Sequence, residues 1–250
     1  MSAAITILHV RERSPLDVER ALTAIFAREG SDARLRIEGT YSAVLARLTA
    51  PTLEAGFRYL IARPHPIAPW TPVLELGERA NGLDIALSRE LAGCDVFTAT
   101  AYGQVFAGYR AARGGALLDQ YCSDPTVSRD EDVDAADSGE RVDDGVSADL
   151  RGHPERFADL LPADTSPEDF ARVVLRPGYW EQVESEQGSG GVPTAQEDNE
   201  EGDEIVDEVD RMRCIALALE LWGPEEYPFA CEPEDIPNAT VGPAVALAFA

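Results

Sequence analysis

The sequence predicts an α+β protein, a mixed or mainly antiparallel sheet with helices on one face, followed by a smaller helical C-terminal region. Three observations lead there. Runs rich in β-branched and aromatic residues, such as 5-ITILHV-10 and 94-CDVFTATAY-102, alternate with capped helical stretches through the first 125 residues. The order read along the chain is β-α-β-β-α-β-α-β-β-β, which suits sequential antiparallel pairing better than a doubly wound parallel sheet. The segment 105-VFAGYRAARGGALLDQYCSDP-125 consists of two short apolar runs folded back on a Gly-Gly pair.

Ile5–Val10 reads as a strand closed by Arg11–Arg13. Ser14 then caps a helix of about 14 residues, with Pro15 at the first helical position, where no N–H is needed, and Asp17 three residues after the cap. Leu16, Leu22, Ile25 and Phe26 form its apolar stripe, and Gly30 ends it. Residues 34–38 alternate as a half-buried strand, and Gly39-Thr40 turns it into a partner strand through Val44 and Leu48. A helical stretch is expected around Leu53–Ala62. The four prolines of 63-RPHPIAPWTP-72 exclude regular structure there. Val73–Leu76 is a short strand, and Asn81 caps a helix carrying Leu83, Leu87 and Leu91 that stops at Gly93. Cys94–Tyr102 is a strand, and the Gly-Gly hairpin follows. With Gly114 and Gly115 as the two central turn residues, opposed positions sum to 229, which sets Arg110 against Asp119 and Tyr121 against Gly108.

Charge divides the rest of the chain. The net charge is -25, with 21 basic residues that are all Arg. Residues 1–125 carry 14 acidic and 13 basic side chains, whereas residues 126–210 carry 26 and 6. The acidity is therefore regional, unlike the spread of carboxylates expected of a protein adapted to high salt. Residues 1–125 form the sheet body, and 126–150, including 130-DEDVDAADSGERVDD-144, is an acidic disordered loop. Residues 151–180 form a helical segment, in which 166-SPEDF-170 repeats the capped start seen at Ser14 and Phe170, Val173 and Val174 give an apolar face. A disordered acidic linker spans 181–203. The segment 204–235 contains a helix to about Trp222 that packs on the body, with Ile205, Val209, Met212, Ile215, Ala216, Leu219 and Trp222 on one stripe. The tail 236–250 ends in 241-VGPAVALAFA-250, which either docks as an extra strand or frays, fraying being the default for a terminus.

Familiar chemistry is missing from the motifs. Cys94, Cys122, Cys214 and Cys231 lie far apart with no Cys-x-x-Cys, which points to reduced, mostly buried thiols. The run 130-DEDVD-134 has carboxylates at positions 1, 3 and 5 of a calcium loop, but Ala135 and Arg141 occupy the places where that loop needs Gly and Glu. No metal and no cofactor are expected. There is no Gly-x-Ser-x-Gly, and His9, His65 and His153 lie in a strand and two loops. A phosphate cradle needs a Gly-rich turn leading into a helix, whereas Gly114-Gly115 leads into a strand. Nucleic-acid binding lacks a basic face, and no window approaches the ~20 apolar residues that cross a bilayer. The start MSAAITILHVRER has its charges after the apolar run, the reverse of a secretory signal, so a cytoplasmic location is expected.

The Trp-led strand 70-WTPVLEL-76, a helix, CDVFTATAY and GYRAARGGALLDQYCSDP together resemble a loose pattern in uncharacterised bacterial proteins, over residues 70–175. That resemblance implies a shared fold and no assigned activity, and the acidic insertion at 126–150 departs from it. The function expected is a non-enzymatic binding or regulatory protein of the immunity or antitoxin-like kind, whose acidic region attracts a basic protein partner. The alternative is an enzyme whose site assembles at one sheet end from Trp70, Arg110, Asp119, Tyr121, Asp124 and His65.

Overall fold

The computed structural model describes residues 4–49, 56–63, 69–77, 82–102, 106–123, 150–175, 215, 219 and 243–249. They form an antiparallel sheet of eight strands among the described residues: β1 (Ala4–Arg11), β2 (Ala33–Thr40), β3 (Phe57–Ile61), β4 (Trp70–Gly77), β5 (Asp95–Tyr102), β6 (Phe106–Arg113), β7 (Ala116–Cys122) and β8 (Pro243–Phe249). Their order in space is β2-β8-β3-β4-β1-β5-β6-β7. Accompanying them are the α-helices α1 (Pro15–Arg28), α2 (Tyr41–Leu48), α3 (Leu83–Glu90) and α4 (Pro167–Val174), with a 3-10 helix at Pro154–Leu160.

Helices cover both faces of the sheet, which corrects the expectation of helices on one face. Adjacent residues of a strand point to opposite faces. Leu8 and Val10 of β1 join α1 (Val18, Leu22, Phe26) and α3 (Leu83, Leu87) in one core. Ile7 faces the other way and packs with Tyr41, Val44 and Leu48 of α2. On that same α2 face, but over β5–β7, the 3-10 helix and α4 bury Phe157, Leu160, Phe170 and Val174 against Phe97, Tyr109 and Tyr121.

The caps explain where helices start. Ser14 Oγ accepts from Asp17 N at 3.2 Å while Asp17 Oδ2 accepts from Ser14 N at 3.3 Å, and Ser166 repeats the first bond with Asp169 N at 3.0 Å. The Ser14 and Ser166 hydroxyls also donate to Asp17 Oδ2 and Asp169 Oδ2, each at 2.6 Å, and these bonds hold both carboxyls below the ordinary carboxylate range. The buried stripe of α1 is Val18, Ala21, Leu22, Ile25 and Phe26, whereas Leu16 is exposed. The cap of α3 is Gly82, at φ +72° and without a side-chain bond, while Asn81 lies outside the described residues.

Two expected elements change type. Tyr41, Val44 and Leu48 recur at steps of three and four and form α2, not a partner strand for β2. Residues 57-FRYLI-61 form β3 instead of a helix, because Tyr59, Leu60 and Ile61 are consecutively buried between two neighbouring strands.

The tail forms β8, inserted between β2 and β3, well inside the sheet. Its seven residues, PAVALAF, carry no polar side chain, the pattern of a strand covered on both faces. Ala246 lies on the α2 face, and Leu247 and Phe249 on the α1 face, where the Phe249 ring stacks on Phe26 at a centroid distance of 4.4 Å. Cys94 and Cys122 are buried, and burial pushes the Cys94 thiol up to about 11; Cys214 and Cys231 lie outside the described residues. Of the expected helix at 204–222 only Ile215 and Leu219 are described, both buried, with Leu219 N donating to Ile215 O at 3.2 Å. The acidic loop and linker fall outside the described residues.

Leu247→Ala removes a side chain that is 2 % exposed from a strand paired on both sides. The expected cost is about 2–5 kcal/mol, read as a lower urea midpoint with unchanged slope. An effect within about 0.5 kcal/mol, the size usual for surface positions, would show that the tail is not an interior strand.

Candidate functional site

The hairpin β6–β7 turns at Gly114 and Gly115, whose φ values of +61° and +84° are those of a two-residue turn. Its first two pairs, Arg113 with Ala116 and Ala112 with Leu117, keep the expected register. Leu118 is then an extra residue, and from there on Ala111 opposes Asp119, Arg110 opposes Gln120 and Tyr109 opposes Tyr121. The expected Arg110–Asp119 and Tyr121–Gly108 pairs are thereby corrected. A bulge of one residue moves every following side chain of β7 to the other face. Gly108 lies across from Cys122, and a Cβ there would sit 2.6 Å from the Tyr121 carbonyl oxygen.

Asp119 thus enters the α2 face. Its side chain has no exposed surface. Oδ2 accepts from the Tyr109 hydroxyl and from His153 N, both at 2.8 Å, and Oδ1 lies 3.5 Å from Arg156 Nη1. Burial is the largest influence on this carboxyl and raises its pKa above the ordinary value, against the lowering effect of the His153 N–H and the Tyr109 hydroxyl. Tyr109 is likewise pushed far up by burial and by Asp119, so it remains a donor at any ordinary pH. His153 turns outward, with Nδ1 3.3 Å from Glu155 Oε1.

The chain reaches this carboxylate by a close pass over the hairpin. Cys122 N donates to Leu150 O at 3.0 Å, and Tyr121 and Arg151 form an antiparallel bridge. Gly152 follows at φ +78°, where a Cβ would lie 2.7 Å from Tyr109 Oη. Only glycine allows both the backbone angle and the approach. The arrangement therefore works as a fastener: one buried carboxylate ties the segment after the acidic insert to the sheet.

The six sequence candidates do not come together as a set. Trp70 is 1 % exposed on the α2 face, and its Nε1 donates to Leu219 O at 3.2 Å. The Arg11 guanidinium lies 5.9 Å from its ring centroid. Asp119 and Tyr121 share that face with it. Arg110 stands on the α1 face, where its Nε meets Asp84 Oδ2 of α3 at 2.8 Å. His65 and Asp124 lie outside the described residues.

Sequence reasoning missed Tyr109, His153 N and Arg156 as partners of Asp119, and Asp84 as the partner of Arg110. It also missed two polar pairs on the α1 face, Tyr59 Oη donating to Glu75 Oε1 at 3.1 Å and Thr6 Oγ1 3.3 Å from Thr100 Oγ1. Alternation along β1, β4 and β5 was the available signal, since Thr6 is opposed by Glu75 on one side and by Thr100 on the other. Among the described residues no group of three or more His, Cys, Asp or Glu is placed to hold a metal ion. No family model matches the chain, and neither a curated protein nor a solved structure does.

Asp119→Asn can keep both bonds on one oxygen, because Tyr109 and His153 donate to the same Oδ2. The folded pKa of Asp119 is raised, so the native state's advantage is full below the ordinary carboxylate pKa of about 3.9 and is lost as pH rises through the folded value. The Asn variant lacks that loss. Urea unfolding from pH 3.5 to 7 is expected to show its stability rising relative to the parent as pH increases, while Asp119→Ala, which strands two donors, costs about 1–3 kcal/mol or more across that range. A constant difference between Asn variant and parent would show that Asp119 has an ordinary pKa.

Proposed function

We propose that this chain is a non-enzymatic binding protein that engages a basic protein partner through its acidic insert, in the manner of an immunity or antitoxin-like regulator. The observation that carries this reading is the combination of charge and attachment. Residues 1–125 are close to neutral, whereas the insert, residues 126–150, holds 9 acidic side chains against 2 basic. The insert leaves the sheet at Ser123 and is back at Leu150, whose carbonyl accepts from Cys122 N. Both of its ends are thus tied to one point on a rigid sheet. A dense negative segment held this way raises the encounter rate of a positive surface by long-range attraction, and that attraction weakens with salt.

The use made of the polar side chains supports the same reading. Trp70, Arg110 and Asp119 each spend their hydrogen-bonding capacity on partners within the fold. The base of the insert is closed by backbone pairing, Cys122 N to Leu150 O and Tyr121 with Arg151, which uses none of the insert's charged side chains.

A variant with every Asp and Glu of residues 130–144 changed to Asn and Gln is expected to fold as the parent does. Immobilised parent should capture a basic protein from source lysate at about 50 mM salt and release it near 0.5 M, and the variant should capture little of it. Equal capture by the two, or no protein that salt releases, would sink the proposal.

A further inference from the structure

The two edges of the sheet differ. Along β7, Leu150 and Arg151 close the half of the strand that contains Tyr121 and Cys122, and the bulge at Leu118 interrupts the other half. Along β2 the ladder is bonded to β8 on one side, and among the described residues nothing lies on the other. β2 is eight residues long, and from Leu35 to Thr40 its register with β8 is regular. A regular strand with an open row of N–H and C=O groups is a template for another strand.

We infer that β2 is a self-association edge, and that its occupant is the β2 strand of a second copy of this chain, paired antiparallel about Ile37. The residues of the edge are complementary to themselves in that register. Arg36 of each copy faces Glu38 of the other, so two opposite-charge pairs form on the α1 face. Ile37 meets its own counterpart on the α2 face, where Ile37 packs at the margin of the α2 core. Leu35 and Gly39 face each other on either side of it. Leu35, Ile37 and Gly39 are half-buried while Arg34, Arg36 and Glu38 are exposed, so the apolar side of the edge is the one a second copy would finish covering. A register shifted by one position on each strand, centred on Arg36, sets two Arg36 guanidinium groups against each other and is disfavoured.

Charged side chains on an open edge usually deter pairing with arbitrary strands. Here their spacing excludes strangers and admits a copy of the same chain. Arg36 is already held outward over the α1 face by Glu19, at 2.6 and 3.1 Å, and it reaches Glu38 at 3.2 Å. Its side chain is about half exposed.

Mutual repulsion of two chains of net charge -25 is the obvious objection. The sheet's order answers it for the insert, residues 126–150, whose 9 acidic and 2 basic side chains leave a net charge of -7. The acidic insert is anchored on β7, seven strand spacings from β2, or roughly 34 Å at ~4.8 Å per strand. That is several times the screening length of about 8 Å at physiological ionic strength. A pair joined at β2 carries the two anchor points at its far ends.

The test uses the full chain in analytical ultracentrifugation. The parent is expected to sediment as a dimer that dissociates on dilution. Glu38→Arg faces Arg36 with Arg twice, Arg36→Glu faces Glu38 with Glu twice, and each variant alone should associate roughly tenfold or more weakly. Mixed together the two variants are complementary at both pairs, and the mixture should regain the parent's dimer. Ile37→Cys should form an intermolecular disulfide under mild oxidation. Circular dichroism on each variant separates lost association from lost folding. A parent that stays monomeric at high micromolar concentration overturns the inference, and so does a dimer that ignores both charge reversals or fails to cross-link through residue 37.

Discussion

One extra residue at Leu118 sets the register on which the α2 face of the sheet depends. Without it Asp119 would lie on the α1 face opposite Arg110, and Tyr121 would lie over Gly108. With it, Tyr121 stacks beside Tyr109 at 5.7 Å between ring centroids and Asp119 meets the Tyr109 hydroxyl. The carboxylate then collects the backbone N–H of His153, which brings the 3-10 helix and α4 down onto Phe97 and Tyr109. Tyr109, Phe157 and Phe170 meet edge to face at 5.5–5.8 Å. A buried carboxylate at the centre of an aromatic cluster is stable only when its lone pairs are occupied, and both donors come from elements that the bulge made neighbours.

The same sheet is held on its α1 face by a more uniform core. α1 and α3 lie side by side over the strands from β8 to β6, and their polar contacts sit at the margins. Arg28 pairs with Glu90 and Arg110 with Asp84. Arg13 reaches the carbonyl of Leu91 at the end of α3 at 2.9 Å. Every cation in these contacts is an arginine, whose planar fork can bond a carboxylate or carbonyl while its stem lies along apolar surface. The Arg28–Glu90 pair, largely exposed, orients the helices more than it stabilises them, whereas Asp84 of the other pair is buried.

The placement of β8 joins the two ends of the chain. A strand contributed by the last residues separates β2 from β3, so the sheet is incomplete until the whole chain is present. It also carries core residues of both faces, Ala246 toward α2 and Leu247 toward α1. The topology places β2 and β7, which carries both attachment points of the insert, at opposite edges of the sheet.

Local chemistry was legible in the sequence wherever a signal and its effect lie within a few residues. The capped starts of α1 and α4 at Ser14 and Ser166, the Gly114-Gly115 turn, the strands β1 and β5, the α+β class and the division of charge all follow from short-range rules. Steps of three and four at Tyr41, Val44 and Leu48 were also present in the sequence, and this helical period prevails over the turn signal at Gly39-Thr40. What only the tertiary structure decided were features that depend on distant partners. The tail became an interior strand because β2 and β3 left a gap that an uncharged seven-residue run could fill. Helices covered both faces because an antiparallel sheet this wide has two apolar sides. Asp119 and Arg110 parted because a single inserted residue reverses the facing of a strand, and no side chain in the hairpin announces on which side of the turn that residue will be absorbed.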